Sequence, residues 1–301
     1  MSLAPIALFT YTKLKPLIAT VEALKKNDLA IKSELIVFSD GAKNTKDDIK
    51  VTKVRDYLKT INGFKKVTLI ISSINKGLAN SIIDGVSEIL KNNETVIVME
   101  DDLLCSTNFL MFMNSALEFY KNDAKIFSIA GYTPPINPNK TKDFDIYFTK
   151  RASSWGWATY RSQWENVDWK VKNYQEFKID TKAKIKFNLM GSDLTNMLKK
   201  QMEGKLDSWA IIWCFHQFQN NLYTVFPTTS KIINIGFDNS GTHTKNKNLK
   251  SRFATNLDNS NKTHFNWDQN VSLKPEIMKD FTKPYNLTSR FKYKLLSILN
   301  R

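Results

Sequence analysis

The chain has 301 residues, of which 42% are hydrophobic and 12% aromatic, a composition that supports one large or two small folded domains and excludes a disordered chain. Its 44 Lys and Arg against 29 Asp and Glu leave a net charge of +15. The basic residues are scattered, so the charge favours anionic partners in general and selects none. The only cysteines, Cys105 and Cys214, exclude a disulfide-stapled scaffold and a cysteine-rich zinc site.

The first half alternates strand and helix signals. Leu3–Tyr11 reads as a buried strand, and Leu14–Lys26 as a helix with Leu17, Val21 and Leu24 on one face. Glu34–Ser39 is a second apolar strand ending at the turn Asp40–Gly41, followed by a helix over Asp47–Ile61. A strand over Lys66–Ser72, a helix over Leu78–Leu90 and an apolar strand over Thr95–Met99 come next. Glu100–Asp101–Asp102 follows that strand directly. Ser106 then reads as the N-cap of a helix over Thr107–Tyr120, and Ile126–Ala130 as a fifth strand. This βαβαβαβαβ order predicts an α/β fold with a mostly parallel sheet flanked by helices. The absence of G-x-G-x-x-G after the first strand argues against a dinucleotide-binding protein, and the absence of a P-loop against an ATPase of that class.

The second half changes character. After a polar Pro-Asn-Lys loop come a strand at Ile146–Thr149 and an aromatic run at Trp155, Trp157, Tyr160, Trp164 and Trp169. Helices are predicted over Ser192–Glu203 and Ser208–Asn220, and a strand over Ser230–Ile235 running into Gly236–His243. The polar stretch from Thr244 to about Lys262 is predicted to be mobile. Phe281–Arg301 mixes apolar and basic residues in the manner of an amphipathic helix that lies on an anionic membrane surface, the competing reading being a helix packed on the domain or a frayed tail. The division expected is a domain over 1–243, with halves 1–131 and 132–243, and a basic lid or tail over 244–301.

In open α/β sheets, ligands bind beyond the carboxyl ends of strands. Thr10–Tyr11–Thr12, Ser39–Asp40–Gly41 and Glu100–Asp101–Asp102 fall at such ends. Three adjacent acids repel one another unless a cation or a donor compensates them, and Mn²⁺ or Mg²⁺ with phosphate co-ligands suits that need. The competing structural reading is that the acids favour the dipole of the next helix. Trp209 and Trp213, four apart, and Trp155 and Trp157, two apart, fit core packing as readily as stacking on a sugar.

Val96–Leu103 (VIVMEDDL) resembles the acidic metal motif of GT-A glycosyltransferases and, more narrowly, the E-D-D-L of N-acetylglucosaminyltransferase I and related bacterial family 2-like sugar transferases. Further segments follow in that family's order. Ser39–Asp40 resembles its uracil-recognition motif, and Asn75–Leu78 the N-x-G segment beside the nucleotide. Ser154–Trp157 resembles the G-[LW]-G-W stretch under the sugar, and Leu206–Trp209 the D-x-W segment that carries the base. Asn234–His243 is similar to N-I-G-x-D-x-S-G-x-H of bacterial members.

The resemblance implies a GT-A enzyme that moves a hexosyl or N-acetylhexosaminyl group, with inversion, from a UDP-sugar to a glycan or lipid-linked acceptor in bacterial surface polysaccharide synthesis. Asp102 would hold the metal, with His243 as a further ligand. Glu100 and Asp101 would hold donor hydroxyls or metal-bound waters, and Asp40 the uracil, with Thr10, Tyr11 and Lys76 near base or phosphate. Trp155, Gly156, Trp157 and Trp209 would shape the sugar site. Asp207 would be the general base, although it could equally cap the helix that follows it. The sequence shows no signal peptide and no apolar run near the ~20 residues that span a bilayer. It therefore predicts a cytoplasmic protein, in peripheral contact with the inner face of the membrane. Two other readings compete: a sugar nucleotidyltransferase, which lacks its Gly-rich signature over Thr10–Pro16, and a non-catalytic carbohydrate- or nucleic-acid-binding module. Nucleic acid is not the expected partner, because the acidic triplet repels phosphate in the absence of metal.

Overall fold

The computed structural model describes residues 3–236 and 252–299. Its first half runs β1 (Ile6–Thr10), α1 (Leu14–Lys25), β2 (Glu34–Ser39), α2 (Thr45–Leu58), β3 (Lys66–Ile71), α3 (Leu78–Leu90), β4 (Thr95–Glu100), β5 (Leu103–Cys105), α4 (Phe109–Phe119) and β6 (Ile126–Ala130). The second half continues with β7 (Ile146–Thr149), β8 (Trp157–Tyr160), α5 (Arg161–Trp164), α6 (Tyr174–Ile179), α7 (Thr181–Asn188), α8 (Leu194–Met202), α9 (Trp209–Gln219), β9 (Tyr223–Pro227), β10 (Ile232–Asn234), α10 (Pro275–Phe281) and α11 (Leu287–Leu299). Eight strands form one mostly parallel sheet in the order β3-β2-β1-β4-β8-β6-β9-β7. The block β3-β2-β1-β4 is wholly parallel, and β8 and β7 enter antiparallel.

The strand period of two explains why this sheet has helices on both faces. In β1, Ile6 and Leu8 join a core with Leu17, Val21 and Leu24 of α1 and Phe109 and Phe112 of α4. Ala7 and Phe9, one residue out of phase, join Ile82, Val86 and Ile89 of α3 on the other face. β4 divides likewise, Ile97 and Met99 to one side, Val96 and Val98 to the other. With both faces covered, both phases are apolar, hence the continuous hydrophobic runs of the sequence. A further core gathers α6 to α9 around Phe187 and Phe215 and includes Ile277 and Phe281 of α10.

Several boundaries differ from the sequence reading for local reasons. α2 begins earlier than predicted because the Asn44 side chain accepts from the Lys46 and Asp47 N–H groups, an N-cap. Ser106 is not the cap of α4: its hydroxyl donates to Asn108, which holds the N-cap position without a capping bond. β5, absent from the sequence reading, pairs antiparallel with β10 in a separate two-stranded ribbon. The stretch predicted to be mobile is anchored where it is described. Asp258 is 8% exposed, donates its N–H to Ser230, and its carboxylate pairs with Lys231. No helix among the described residues is long and apolar enough to cross a membrane.

Candidate active site

The parallel register of β1, β2 and β4 decides the location of the site. Thr10 lies beside Ser39, and Phe9 beside Glu100, so the residues that leave these strands emerge on one sheet edge. There a cleft of about 500 Å³ is lined by Thr10, Tyr11, Lys13, Asp40, Asp47, Gly77, Glu100, Asp101, Asp102 and Asp207, among others. Seven of the residues singled out from the sequence (Thr10, Tyr11, Asp40, Glu100, Asp101, Asp102 and Asp207) thus share one cavity, although Asp207 comes from the turn before α9.

The acids are held differently. Asp101 is 8% exposed, and its Oδ2 accepts from Thr10 Oγ1 at 2.9 Å and from the Tyr11 N–H at 3.1 Å. Asp102 Oδ2 accepts from Lys13 Nζ at 2.8 Å. Burial, with the Asp102 charge adding to it, pushes Asp101 up to about 6. Burial and the charges of Asp102 and Asp101 also push Glu100 well above the usual carboxylate range. Three carboxylates are therefore crowded against one ammonium, and added positive charge would relieve the crowding.

A divalent cation fits this donor set. Mg²⁺ and Mn²⁺ are held by one or two carboxylates plus substrate phosphates rather than by a closed protein cage. Among the described residues no group of three or more His, Cys, Asp or Glu is arranged as such a cage. Asp102, whose carboxylate has a flexible lysine as its one hydrogen-bond donor among the described residues, is the carboxylate that would hold the ion.

Asp40 is more committed than its sequence role suggests. Its carboxylate accepts from the N–H groups of Gly41 at 2.9 Å, Lys76 at 2.8 Å and Gly77 at 3.0 Å. A carboxylate has about four acceptor positions, which leaves one for a ligand. Arg55 ties the same corner down by donating to the Asp40 and Ser72 carbonyls. Tyr11 donates its hydroxyl to Asp47 at 3.0 Å and accepts from the Lys43 N–H at 2.9 Å, so its ring is fixed as part of the wall.

Asp207 does not cap a helix. Ser208 is the N-cap residue of α9 and makes no capping bond of its own. The Asp207 side chain is exposed and has no partner among the described residues. It reaches over the start of α3, where Gly77 has a left-handed φ of 77°; a Cβ there would lie 3.5 Å from Asp207 Oδ2. That distance is ordinary contact, so the left-handed φ, rather than space, is what calls for glycine at this turn.

Other expected residues lie elsewhere. The Lys76 side chain points away from the cleft to Asp84, 2.9 Å distant, and only its N–H serves the site, through Asp40. Trp157 and Trp209 are 1% and 3% exposed and pack with Trp164, Trp169 and Trp213 at centroid distances of 4.8 to 6.3 Å. They are core residues, and neither lines the cleft. Trp155 and Trp157 do not share a face, because Gly156 between them adopts a φ of +59° and breaks the strand period. Trp155 instead packs on Tyr132 and Phe253 and lines a separate cavity of about 210 Å³ that Ser208 also borders. Gly156 is buried, and a Cβ on it would strike the Ile232 side chain. His243 lies outside the described residues.

Lys13, Lys43 and Asp47 were missed by the sequence reading. No spacing signals Lys13, which stands 89 residues from its partner; only the β1–β4 pairing brings the two together.

No protein-family model matches the chain, and no curated protein matches it. Solved structures similar to it include the mannosyltransferase PcManGT from Pyrobaculum calidifontis, in complex with GDP-Man and Mn²⁺. That match has a TM-score of 0.39 and 15% identity over 55% of this chain and 47% of that one. TarS 1-349 of S. aureus matches with a TM-score of 0.40 and 11% identity over 76% of this chain and 59% of that one. The chain spans about half the length of these solved proteins. Matches of this extent carry no argument, and the chemistry rests on the residues of the cleft.

Proposed function

We propose that the chain is a glycosyltransferase of GT-A type that moves a sugar from a UDP-sugar to a hydroxyl of a glycan or lipid-linked saccharide in one inverting displacement. The observation that carries this reading is the pairing, in one cleft, of Asp207, an exposed carboxylate with no partner among the described residues, with the acidic triplet Glu100–Asp102, of which Asp101 is buried and the other two half-buried. A phosphate-binding module would need no such base, and a triplet of acids without a cation would repel its ligand.

In this mechanism Asp207 takes the proton of the acceptor hydroxyl as its oxygen bonds to the anomeric carbon and the bond from that carbon to the diphosphate oxygen breaks. Mn²⁺ or Mg²⁺, when bound at Asp102, would supply Lewis-acid stabilisation of the departing diphosphate. Asp101, locked by Thr10 and the Tyr11 N–H, keeps the end of β1 against the end of β4. The free acceptor position of Asp40 suits an N–H of the base, and the fixed Tyr11 ring borders it.

α11 supports an acceptor at a membrane surface. Leu287, Phe291 and Leu295 recur every four residues on it and are 70%, 66% and 46% exposed, with Lys292 and Lys294 beside them. Co-sedimentation with anionic vesicles, lost in Phe291→Ser, is the expected outcome; equal recovery with neutral vesicles would count against it.

The test of the main reading is calorimetric titration with UDP, GDP, CDP and dTDP, each with and without Mn²⁺, on the wild type and Asp102→Ala. UDP binding that needs Mn²⁺ and vanishes in the variant is expected. Preference for another nucleotide would overturn the UDP assignment alone, whereas no binding of any nucleotide would overturn the transferase reading.

A further inference from the structure

Lys13 stands three residues after the end of β1, at the N-cap position of α1, where an ammonium has no acceptor to offer the helix. It runs instead to Asp102 Oδ2 at 2.8 Å, in a pair whose side chains are 17% and 13% exposed. Lys43 and Lys50 also line the cleft, but both are exposed and lie on the side of Asp47, where Lys50 pairs at 3.6 Å. Among the described residues, Lys13 is the one cation paired with the acidic triplet.

This position has a consequence for any anionic ligand. A diphosphate entering the cleft meets three carboxylates, so its charge has to be met by positive groups in the same space. The ammonium of Lys13 is already there, on a four-carbon stem that can turn about its bonds. Its charge would repel a divalent cation bound at the same Asp102 carboxylate. Lysine and metal are therefore alternative partners of one carboxylate. Once displaced from it, the ammonium remains in the wall of the cleft, where the phosphates would lie.

We propose that Lys13 is a protein-borne cation of the donor site, which exchanges Asp102 for a donor phosphate when a divalent cation binds. The proposal rests on the sugar-nucleotide reading for its ligand, the diphosphate, but its first half, the competition with metal, does not. It makes Lys13 a positioning and charge-compensating residue, and it predicts opposite effects of the same substitution on two ligands.

The experiment compares the wild type with Lys13→Met, Lys13→Gln and Lys13→Arg, each checked for a cooperative thermal transition. Free Mn²⁺ is followed by electron paramagnetic resonance without nucleotide, and UDP binding by calorimetry, once in EDTA and once in saturating Mn²⁺. Lys13→Met and Lys13→Gln are expected to bind Mn²⁺ alone more tightly and UDP more weakly, each by about tenfold, the scale of one charge-assisted hydrogen bond. Lys13→Arg should stay near the wild type for UDP. Unchanged affinities, or Mn²⁺ and UDP weakened together, would overturn the proposal, since Lys13 would then only support the local structure. Tighter Mn²⁺ binding in the neutral variants, with no UDP binding even by the wild type, would uphold the exchange at Asp102 and overturn the transferase reading instead.

Discussion

Lys13–Asp102 and Lys231–Asp258 bring the same two side chains together in two regions, the first in the cleft and the second where residues 252–299 meet the body of the protein. Both pairs are largely buried, with side chains 17% and 13% exposed in the first and 5% and 6% in the second. Their surroundings differ. The Asp258 carboxylate also accepts from Asn108 at 3.0 Å and from the Ser260 N–H at 2.8 Å, while the Lys231 ammonium lies 5.4 and 5.0 Å from the ring centroids of Phe112 and Phe265. The Asp102 carboxylate has, among the described residues, one lysine as its donor and two acids as neighbours. A buried pair whose carboxylate already accepts three hydrogen bonds holds structure together. A pair with acceptors to spare, crowded by like charge, is ready to exchange a partner.

If the cleft is the reactive region, its variants should lose chemistry and keep stability. The largest effect is expected for Asp207→Asn, which should lower kcat by about three orders of magnitude, the range of a lost general base. UDP affinity and thermal unfolding should stay unchanged, because the Asp207 carboxylate holds nothing else in place. A comparable fall in UDP affinity would move Asp207 from catalysis to binding.

At the other pair the pattern should reverse. Asp258→Ala leaves Lys231 buried without its partner and should cost about 3 kcal/mol of stability, read by urea unfolding, with nucleotide affinity intact. A loss below about 1 kcal/mol would show that the segment carrying Asp258 is not held by this pair.

The smallest effect is a pH dependence. Burial opposes ionisation of Asp258, but the hydrogen bonds from Lys231, Asn108 and Ser260 outweigh it and hold the carboxyl at about 2. A carboxyl depressed in the folded state contributes stability that is complete above its unfolded value near 4 and is lost as pH falls towards 2. In acid titrations of unfolding free energy, Asp258→Asn should therefore show a shallower fall than the wild type between about pH 4 and 2, amounting to about 2 kcal/mol over the whole range. Parallel curves would mean that Asp258 is not depressed.

Much of the parallel half could be read from sequence. Strands with both faces covered are apolar throughout, and helices such as Leu78–Leu90 show one face at a regular spacing, so local pattern located both. The acidic triplet was visible because three charges directly after an apolar strand conflict with the pattern around them. β5 escaped notice because a three-residue strand has no period to detect, and its partner β10 lies more than a hundred residues away. The aromatic run misled for another reason. Alternation put Trp155 and Trp157 on one face, but one left-handed glycine sends them to different surroundings, and a tryptophan suited to stacking on a sugar is equally suited to a core.

The sequence by itself determined the α/β class, the strand ends at which polar residues emerge, and the kinds of side chain available there, because these depend on periodicity and on neighbours a few residues apart. Only the tertiary structure decided which of those residues meet. Asp207 shares a cleft with the triplet because α9 packs beside α3. Lys13 reaches Asp102 because β1 and β4 are neighbours in the sheet. Asp40 is committed to three backbone N–H groups because the turn after β3 folds over it. Each of these contacts depends on distances set by packing between elements remote in the chain, and no spacing along the sequence records them.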